Sequence, residues 1–282
     1  MRIACLTDFH IDYGPLNREA LPYLAVEIEK AAPDVVAIAG DIATNLNSLA
    51  VTLKALSGFA RTNVFVPGNH DVWCRIGEGP KKPGCSRRRY ERDLAEASER
   101  GGFHYLPSHP LIVNGVGFAG TIGWYDYSFR RPDLDDRITL DHYRSKQYGS
   151  HQWYDVVCAD WGASDEEVAQ SMEADLARDL DTLTREHAQA IVCVTHHVPF
   201  RNCVEYKGFV GWDFFSAYMG SEGLGRIMLD RPSVRLALFG HTHTIYDTQV
   251  KHIRCVCPPV GYLRKPTEVA KAARRGVAVV DL

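Results

Sequence analysis

Short apolar runs alternate with amphipathic stretches along the first third of the chain. Residues 2–6, RIACL, are a continuous apolar run and predict a strand. Residues 19–31 place Leu21, Leu24, Ala25 and Ile28 at helical spacing, and DVVAIAG returns to a strand that ends in Gly40. A helix over 46–59 and a strand at NVFV follow. The resulting βαβαβ order implies parallel strands with helices packed on them. The strands are apolar on both faces, as in a sheet buried on both sides.

The pattern then changes. Residues 74–90, rich in Gly, Pro, Lys and Arg, read as a loop leading into a helix over about 88–100. FHYL, PLIVNG and VGFAG form a β-rich block with hairpin character at Asn114-Gly115. Residues 121–163 carry Trp124, Tyr125, Tyr127, Phe129, Tyr143, Tyr148, Trp153, Tyr154 and Trp161 among many charges, with no period. They read as an aromatic-rich cap or long loop inserted into one domain spanning residues 1–282. A helix over 164–187 starts from Ser164, with Glu167 three residues on as a capping box. AIVCVTHHVPF is a strand entering a polar turn, a helix covers 221–230, and VRLALFGHTHT is a strand ending in Gly and His. Strands at about 245–250, 253–257 and 276–281 close the chain.

Composition narrows the class. With 45% hydrophobic and 24% charged residues over 282 positions, this is an ordinary globular chain able to bury a core without crosslinks. A net charge of −3 gives no general drive toward nucleic acid or anionic membrane. Eight cysteines are scattered with no CxxC pair, which argues against a zinc ribbon and for reduced thiols in a cytoplasmic protein. The first residues have too short an apolar stretch for a signal peptide, and no run approaches the roughly 18 apolar residues of a membrane span.

The candidate chemistry sits at strand ends. ACLTDFH delivers Asp8 and His10, VVAIAGD delivers Asp41, and VFVPGNHD delivers Asn69, His70 and Asp71. IVCVTHH delivers His196 and His197, and LALFGHTH delivers His241 and His243. In α/β sheets the ligand crevice lies beyond the carboxyl ends of the strands, so these remote side chains are expected to converge. Carboxylates, imidazoles and an amide carbonyl suit Zn, Mn or Fe, and their number exceeds the need of one tetrahedral ion. Two ions about 3.5–4 Å apart need a bridging anion, which a carboxylate can be. Strand alternation would put Asp8 and His10 on one side, and likewise His241 and His243 if the backbone stays extended.

The series Asp8-x-His10, Gly40-Asp41, Gly68-Asn69-His70-Asp71, His196 and Gly240-His241-Thr242-His243 resembles the calcineurin-like metallophosphoesterase superfamily, in the family's own order. The resemblance implies a four-layer α/β/β/α sandwich of two mixed sheets. It implies one metal held by Asp8, His10, Asp41 and His243, a second by Asp41, Asn69, His196 and His241, and Asp41 as the bridge. The ions would be divalent or trivalent Mn, Fe or Zn. His70 would be the general acid, and a metal-bridging hydroxide would attack phosphorus in line. The implied activity is hydrolysis of a phosphate ester, as phosphodiesterase or phosphomonoesterase, on a small-molecule substrate. A net acidic chain is poorly matched to a nucleic-acid polymer. The alternatives are a nuclease and a non-catalytic interaction scaffold of the same fold. There is one departure from the family pattern. Thr44 stands where many members have an Asp that orients the acid histidine, so that either Asp71 or an inserted residue does so or His70 is less strongly polarised.

Other residues have plainer readings. His197 could be a further metal ligand or a substrate contact, but as neighbours on a strand face opposite ways it reads instead as structural or as a support to the ligands. Asp71 reads as a turn residue rather than a catalyst, and Asp12 either neighbours the site or caps the next turn. Arg87, Arg88, Arg89 and Arg92 with Lys81 and Lys82 read as a solvated face rather than a phosphate grip. The aromatics of 121–163 either stack on substrate or pack a cap onto the sheet.

Overall fold

The computed structural model describes residues 1–74, 82–134 and 136–282. Lys81, grouped above with the basic cluster, lies outside the described residues.

Among the described residues, thirteen strands form two mixed sheets and a small hairpin. The first sheet takes β1 (Arg2–Leu6), β2 (Val35–Ala39), β3 (Thr62–Val66) and β4 (His104–Tyr105) in parallel, with β13 (Ala278–Asp281) antiparallel at the β1 edge. The second runs in the order β11 (Tyr246–Val250), β12 (Ile253–Cys257), β10 (Val234–Leu238), β9 (Ala190–Thr195), β6 (Val116–Thr121) and β5 (Leu111–Val113). Its four central strands are parallel and its two edge strands antiparallel. β7 (Gln147–Tyr148) and β8 (His151–Gln152) pair within the aromatic segment.

Alternation along each strand builds the layers. Ile3, Cys5, Val35, Ala37, Val64 and Val66 of the first sheet meet Phe118, Val192, Val194, Leu236 and Leu238 of the second in a common core. The intervening residues Ala4, Leu6, Val36, Ile38 and Phe65 face the helices Pro15–Ala31, Leu46–Leu56 and Val269–Arg275. Ala119, Ile191, Cys193 and Ala237 face the helices Asp165–Arg185 and Glu222–Leu229. This is the expected α/β/β/α sandwich. The strands read as unbroken apolar runs because both faces are covered.

Local signals explain the element boundaries. The first helix begins at Pro15 rather than near residue 19, because proline at its first position already has helical φ. Asn45 caps the second, its Oδ1 accepting from Asn47 and Ser48 N–H at 3.0 Å. Ser164 and Glu167 form the expected capping box. The helix expected over 88–100 begins at Cys85 and passes through a π-helical turn at Arg89–Asp93 before Leu94–Arg100. The helix Val269–Arg275 was not foreseen. Its buried Val269, Ala272 and Ala273 pack against the first helix.

Two expectations need correction. Cys74 and Cys85 form a disulfide with Cα atoms 6.2 Å apart, so not all thiols are reduced. The backbone bond from Cys74 N–H to Cys158 C=O, and Ser86 N–H to Asp160 C=O, hold both cysteines against the same segment. The other six cysteines are buried and lie outside this disulfide. Arg89 is also no solvated side chain: its guanidinium donates to the Asp71 and Thr44 carbonyls. Among the described residues no helix is long and apolar enough to cross a membrane.

Candidate metal centre

Each candidate ligand leaves its strand within a few residues and turns inward. The turns are not extended. Asp8, His10, Asp41, His241 and His243 all have positive φ, from 46° to 70°. Strand alternation therefore does not align Asp8 with His10 as expected, and the extended backbone that alignment of His241 with His243 required is not present. Left-handed turns align both pairs instead. Such backbone costs non-glycine residues about 1–2 kcal/mol each, and it concentrates at functional sites. Glycines allow the loops to close. A Cβ on Gly68 would lie 2.1 Å from Asp41 Oδ1, and one on Gly240 would lie 2.1 Å from the Thr7 hydroxyl.

Two clusters result, sharing Asp41. Asp8, His10, Asp41 and His243 each bring one ligand atom within 4.8 Å of the others, as do Asp41, His196 and His241. His10 Nε2 and His243 Nε2 are 2.9 Å apart, with Asp41 Oδ2 at 3.6 Å from the former and Asp8 Oδ1 at 3.3 Å from the latter. His196 Nε2 lies 3.4 Å from Asp41 Oδ2 and 3.3 Å from His241 Nδ1. The Asn69 Oδ1 is 3.2 Å from His196 Nε2 and 3.0 Å from His241 Nδ1. All seven predicted residues therefore meet in one place, six of them buried and His243 partly exposed.

The surroundings select which atom each residue offers. His196 Nδ1–H donates to Ala39 C=O at 2.7 Å, so Nε2 turns to the cluster with its lone pair. His241 uses Nε2–H on Tyr218 C=O at 3.2 Å, and so offers Nδ1. Asn69 donates its amide to Asp155 Oδ1 at 3.0 Å, leaving its carbonyl oxygen for the cluster. This is how ligands are oriented in metal sites. Facing imidazole lone pairs and buried carboxylates, with no neighbouring Lys or Arg among the described cleft residues, form a donor set that fits cations.

Within the clusters the buried carboxylates and imidazoles shift one another's charge. Burial disfavours the Asp41 charge, yet His196 first and then His70 and His10 hold it well below the usual carboxylate range. Burial likewise opposes a charged His196, but Asp41 overrides it and pushes the imidazole up to about 9. Burial pushes His70 below its ordinary value, against the pull of Asp41 and Asp155.

His70 stands beside the clusters. Its ring stacks on Trp73 at 3.6 Å, and its Nε2 is 3.3 Å from the Tyr262 hydroxyl and 4.0 Å from Asp41 Oδ2. Of the orienters expected from the sequence, Asp71 is engaged elsewhere, whereas Asp155 of the 121–163 segment favours the His70 charge and holds Trp73 against its ring. The Asp71 carboxylate is fully taken by the backbone N–H groups of Asp41, Ile42, Ala43 and Gly68, at 2.8–2.9 Å. Burial first, and then the Asp41 charge, push this carboxyl up to about 7. Asp71 is thus the clip between the Asp41 and Asn69 loops. Asp12 accepts from Thr44 N–H at 2.8 Å, reaching across to the loop after Asp41 rather than capping the turn next to it. His197 donates Nδ1–H to Ile122 C=O and packs its ring 4.3 Å from that of His241; burial, then His196, lower it to about 3.

The aromatics of 121–163 divide in two. Trp124, Tyr125, Tyr127, Phe129 and Tyr143 are fully buried packing residues, whereas Trp153 and Tyr154 line the cleft. Asp155, between them and the site, was missed. Its carboxylate accepts from Asn69, Trp73 (2.6 Å), Trp153 (2.7 Å) and Tyr125 (3.0 Å). The only signal was a lone acid amid aromatics in WYDVVC. Tyr218 acts through its backbone carbonyl, which no side-chain pattern reveals, and Tyr262 stands alone in a loop.

The calcineurin-like phosphoesterase family model matches residues 1–244, and the chain belongs to that family. The structure is similar to that of phosphopantetheinyl hydrolase from Mycobacterium tuberculosis, with a TM-score of 0.76 and 20% identity over 95% of this chain and 91% of that one. A putative 5′-nucleotidase from Staphylococcus aureus matches at a TM-score of 0.49 and 14% identity, over 92% of this chain and 48% of that one. No curated protein matches the sequence.

Proposed function

We propose that this chain hydrolyses a phosphate ester at a centre of two metal ions, one held by Asp8, His10, Asp41 and His243, the other by Asp41, Asn69, His196 and His241. The observation that carries the reading is Asp41: a fully buried carboxylate with facing imidazoles on two sides and its charge favoured by both. When bound, two cations at such a site neutralise phosphoryl charge and bring a water's pKa toward neutrality. The donor set suits Mn, Fe or Zn.

The chain's own groups divide the remaining work. Asp8 and Asp41 supply the anionic charge that balances the cations, and the carbonyl contacts of His196 and His241 keep their lone pairs inward. His70 holds a proton at Nε2 for the leaving oxygen, kept in place by the Trp73 stack and the Tyr262 hydroxyl. The cleft over the clusters offers no Lys or Arg among its described lining residues to balance a second charge on phosphate. This favours a diester, with one negative charge, over a monoester.

Metal loading followed by hydrolysis of bis-p-nitrophenyl phosphate against p-nitrophenyl phosphate tests the reading. Faster turnover of the diester is expected. Retained metal with no turnover of either ester would overturn the catalytic reading, and turnover of the monoester alone would overturn the diester assignment.

A further inference from the structure

The cleft above the metal clusters encloses about 670 Å³, far more than a phosphoryl group fills. Asp41, Asn69, His241 and His243 form its floor. Its walls are aromatic: Trp73, Trp153, Tyr154, Trp212, Phe215 and Tyr262. These come from separate parts of the chain, namely the turn after β3, the inserted segment, the 210–218 helical turns and the C-terminal loop.

Two walls are built rather than incidental. The indole N–H groups of Trp73 and Trp153 both donate to Asp155, at 2.6 and 2.7 Å. Trp73 also stacks on His70 at 3.6 Å and Trp153 on Tyr218 at 5.2 Å. The same carboxylate that orients Asn69 therefore fixes the apolar surface beside it. Such pinning lowers the entropy lost on binding. At the rim, Tyr154, Trp212 and Tyr262 are 49%, 38% and 37% exposed, an unusual outlay of aromatic surface beside a half-open cleft.

The charge pattern says what the walls do not hold. Glu205 lines the outer cleft. The nearby Lys207 is engaged, with its ammonium 3.5 Å from Glu205 and 3.3 Å from the centroid of the Trp212 ring. A second phosphate or a carboxylate in this space would meet Glu205 with no free cation among the described lining residues.

We propose that the aromatic cleft is a subsite for an uncharged alkyl or aryl alcohol group of the ester, seated between Trp153, Tyr154 and Trp212 while the phosphate lies on the floor. This deepens the phosphoesterase reading and rests on it for the position of the phosphate. The discriminating side chains are Tyr154 and Trp212, on opposite elements and clear of the metal clusters.

Calorimetric titration of the metal-loaded protein with phenylbutylphosphonate, methylphosphonate and carboxyethylphosphonate tests it, since none has an ester bond to break. The phenylbutyl compound is expected to bind roughly tenfold or more tighter than the methyl one, the scale of burying a small apolar group. The carboxyethyl compound should bind no tighter than methyl. Trp212→Ala and Tyr154→Ala should each weaken the phenylbutyl compound about three- to tenfold and leave methylphosphonate unchanged. Equal affinity for phenylbutyl and methyl, preference for the carboxyethyl arm, or equal weakening of both ligands in the variants would overturn the subsite. Parallel turnover of bis-p-nitrophenyl phosphate separates the two readings. Arm preference without turnover upholds the subsite and removes catalysis; turnover without arm preference does the reverse.

Discussion

Replacing Asp71 by Asn removes one oxygen from a side chain that accepts four backbone hydrogen bonds. Oδ2 takes Asp41 and Gly68 N–H at 2.8 Å, and Oδ1 takes Ile42 and Ala43 N–H at 2.9 Å. A carboxamide can keep one pair at its oxygen. Its NH2 then faces the other two N–H groups, donor against donor, in a fully buried site. Two unsatisfied buried donors at about 1–3 kcal/mol each give a loss of roughly 2–6 kcal/mol. Against a typical total of about 5–15 kcal/mol this is severe. Urea unfolding followed by the fluorescence of the five tryptophans would read it as a shifted midpoint with unchanged slope. The Asp41 and Asn69 loops should also loosen together, so metal affinity should fall in parallel. A loss below about 0.5 kcal/mol, the scale of an ordinary surface substitution, would refute the clip.

Three further outcomes follow. Asp41→Asn should lower occupancy at both metal positions, measured by elemental analysis; loss confined to one position would contradict a shared bridge. His70→Ala should retain metal but slow turnover by roughly 10²–10⁴-fold, most for poor leaving groups, and parent-like rates on such esters would exclude it as the acid. Asp155→Ala strands the Asn69, Trp73, Trp153 and Tyr125 donors. It should weaken metal binding and cost stability of at least about 2 kcal/mol, checked by competition with a chelator and by thermal unfolding; unchanged values in both would remove its orienting role.

Much of this was legible in the sequence because burial on both faces leaves an unbroken apolar run, and RIACL, VVAIA and VFV each end where polar ligands begin. The convergence of Asp8, Asp41, Asn69, His196 and His243 followed from strand ends sharing a rim. The route was not legible. Left-handed turns at Asp8, His10, Asp41, His241 and His243 depend on loop closure against Gly68 and Gly240, which no periodicity records. Asp155 escaped because its partners are remote in sequence, and Asp71 looked like a turn residue although it joins two loops. The Val269–Arg275 helix is short and half apolar, and only its contact with the first helix decides its state.

The account stands or falls on two cations sharing Asp41. The direct measurement is metal stoichiometry by plasma mass spectrometry, after chelation and reconstitution with Mn, Fe or Zn, on the unaltered chain. The account predicts about two tightly held ions per chain, as a carboxylate-bridged pair requires. One ion or none would contradict it.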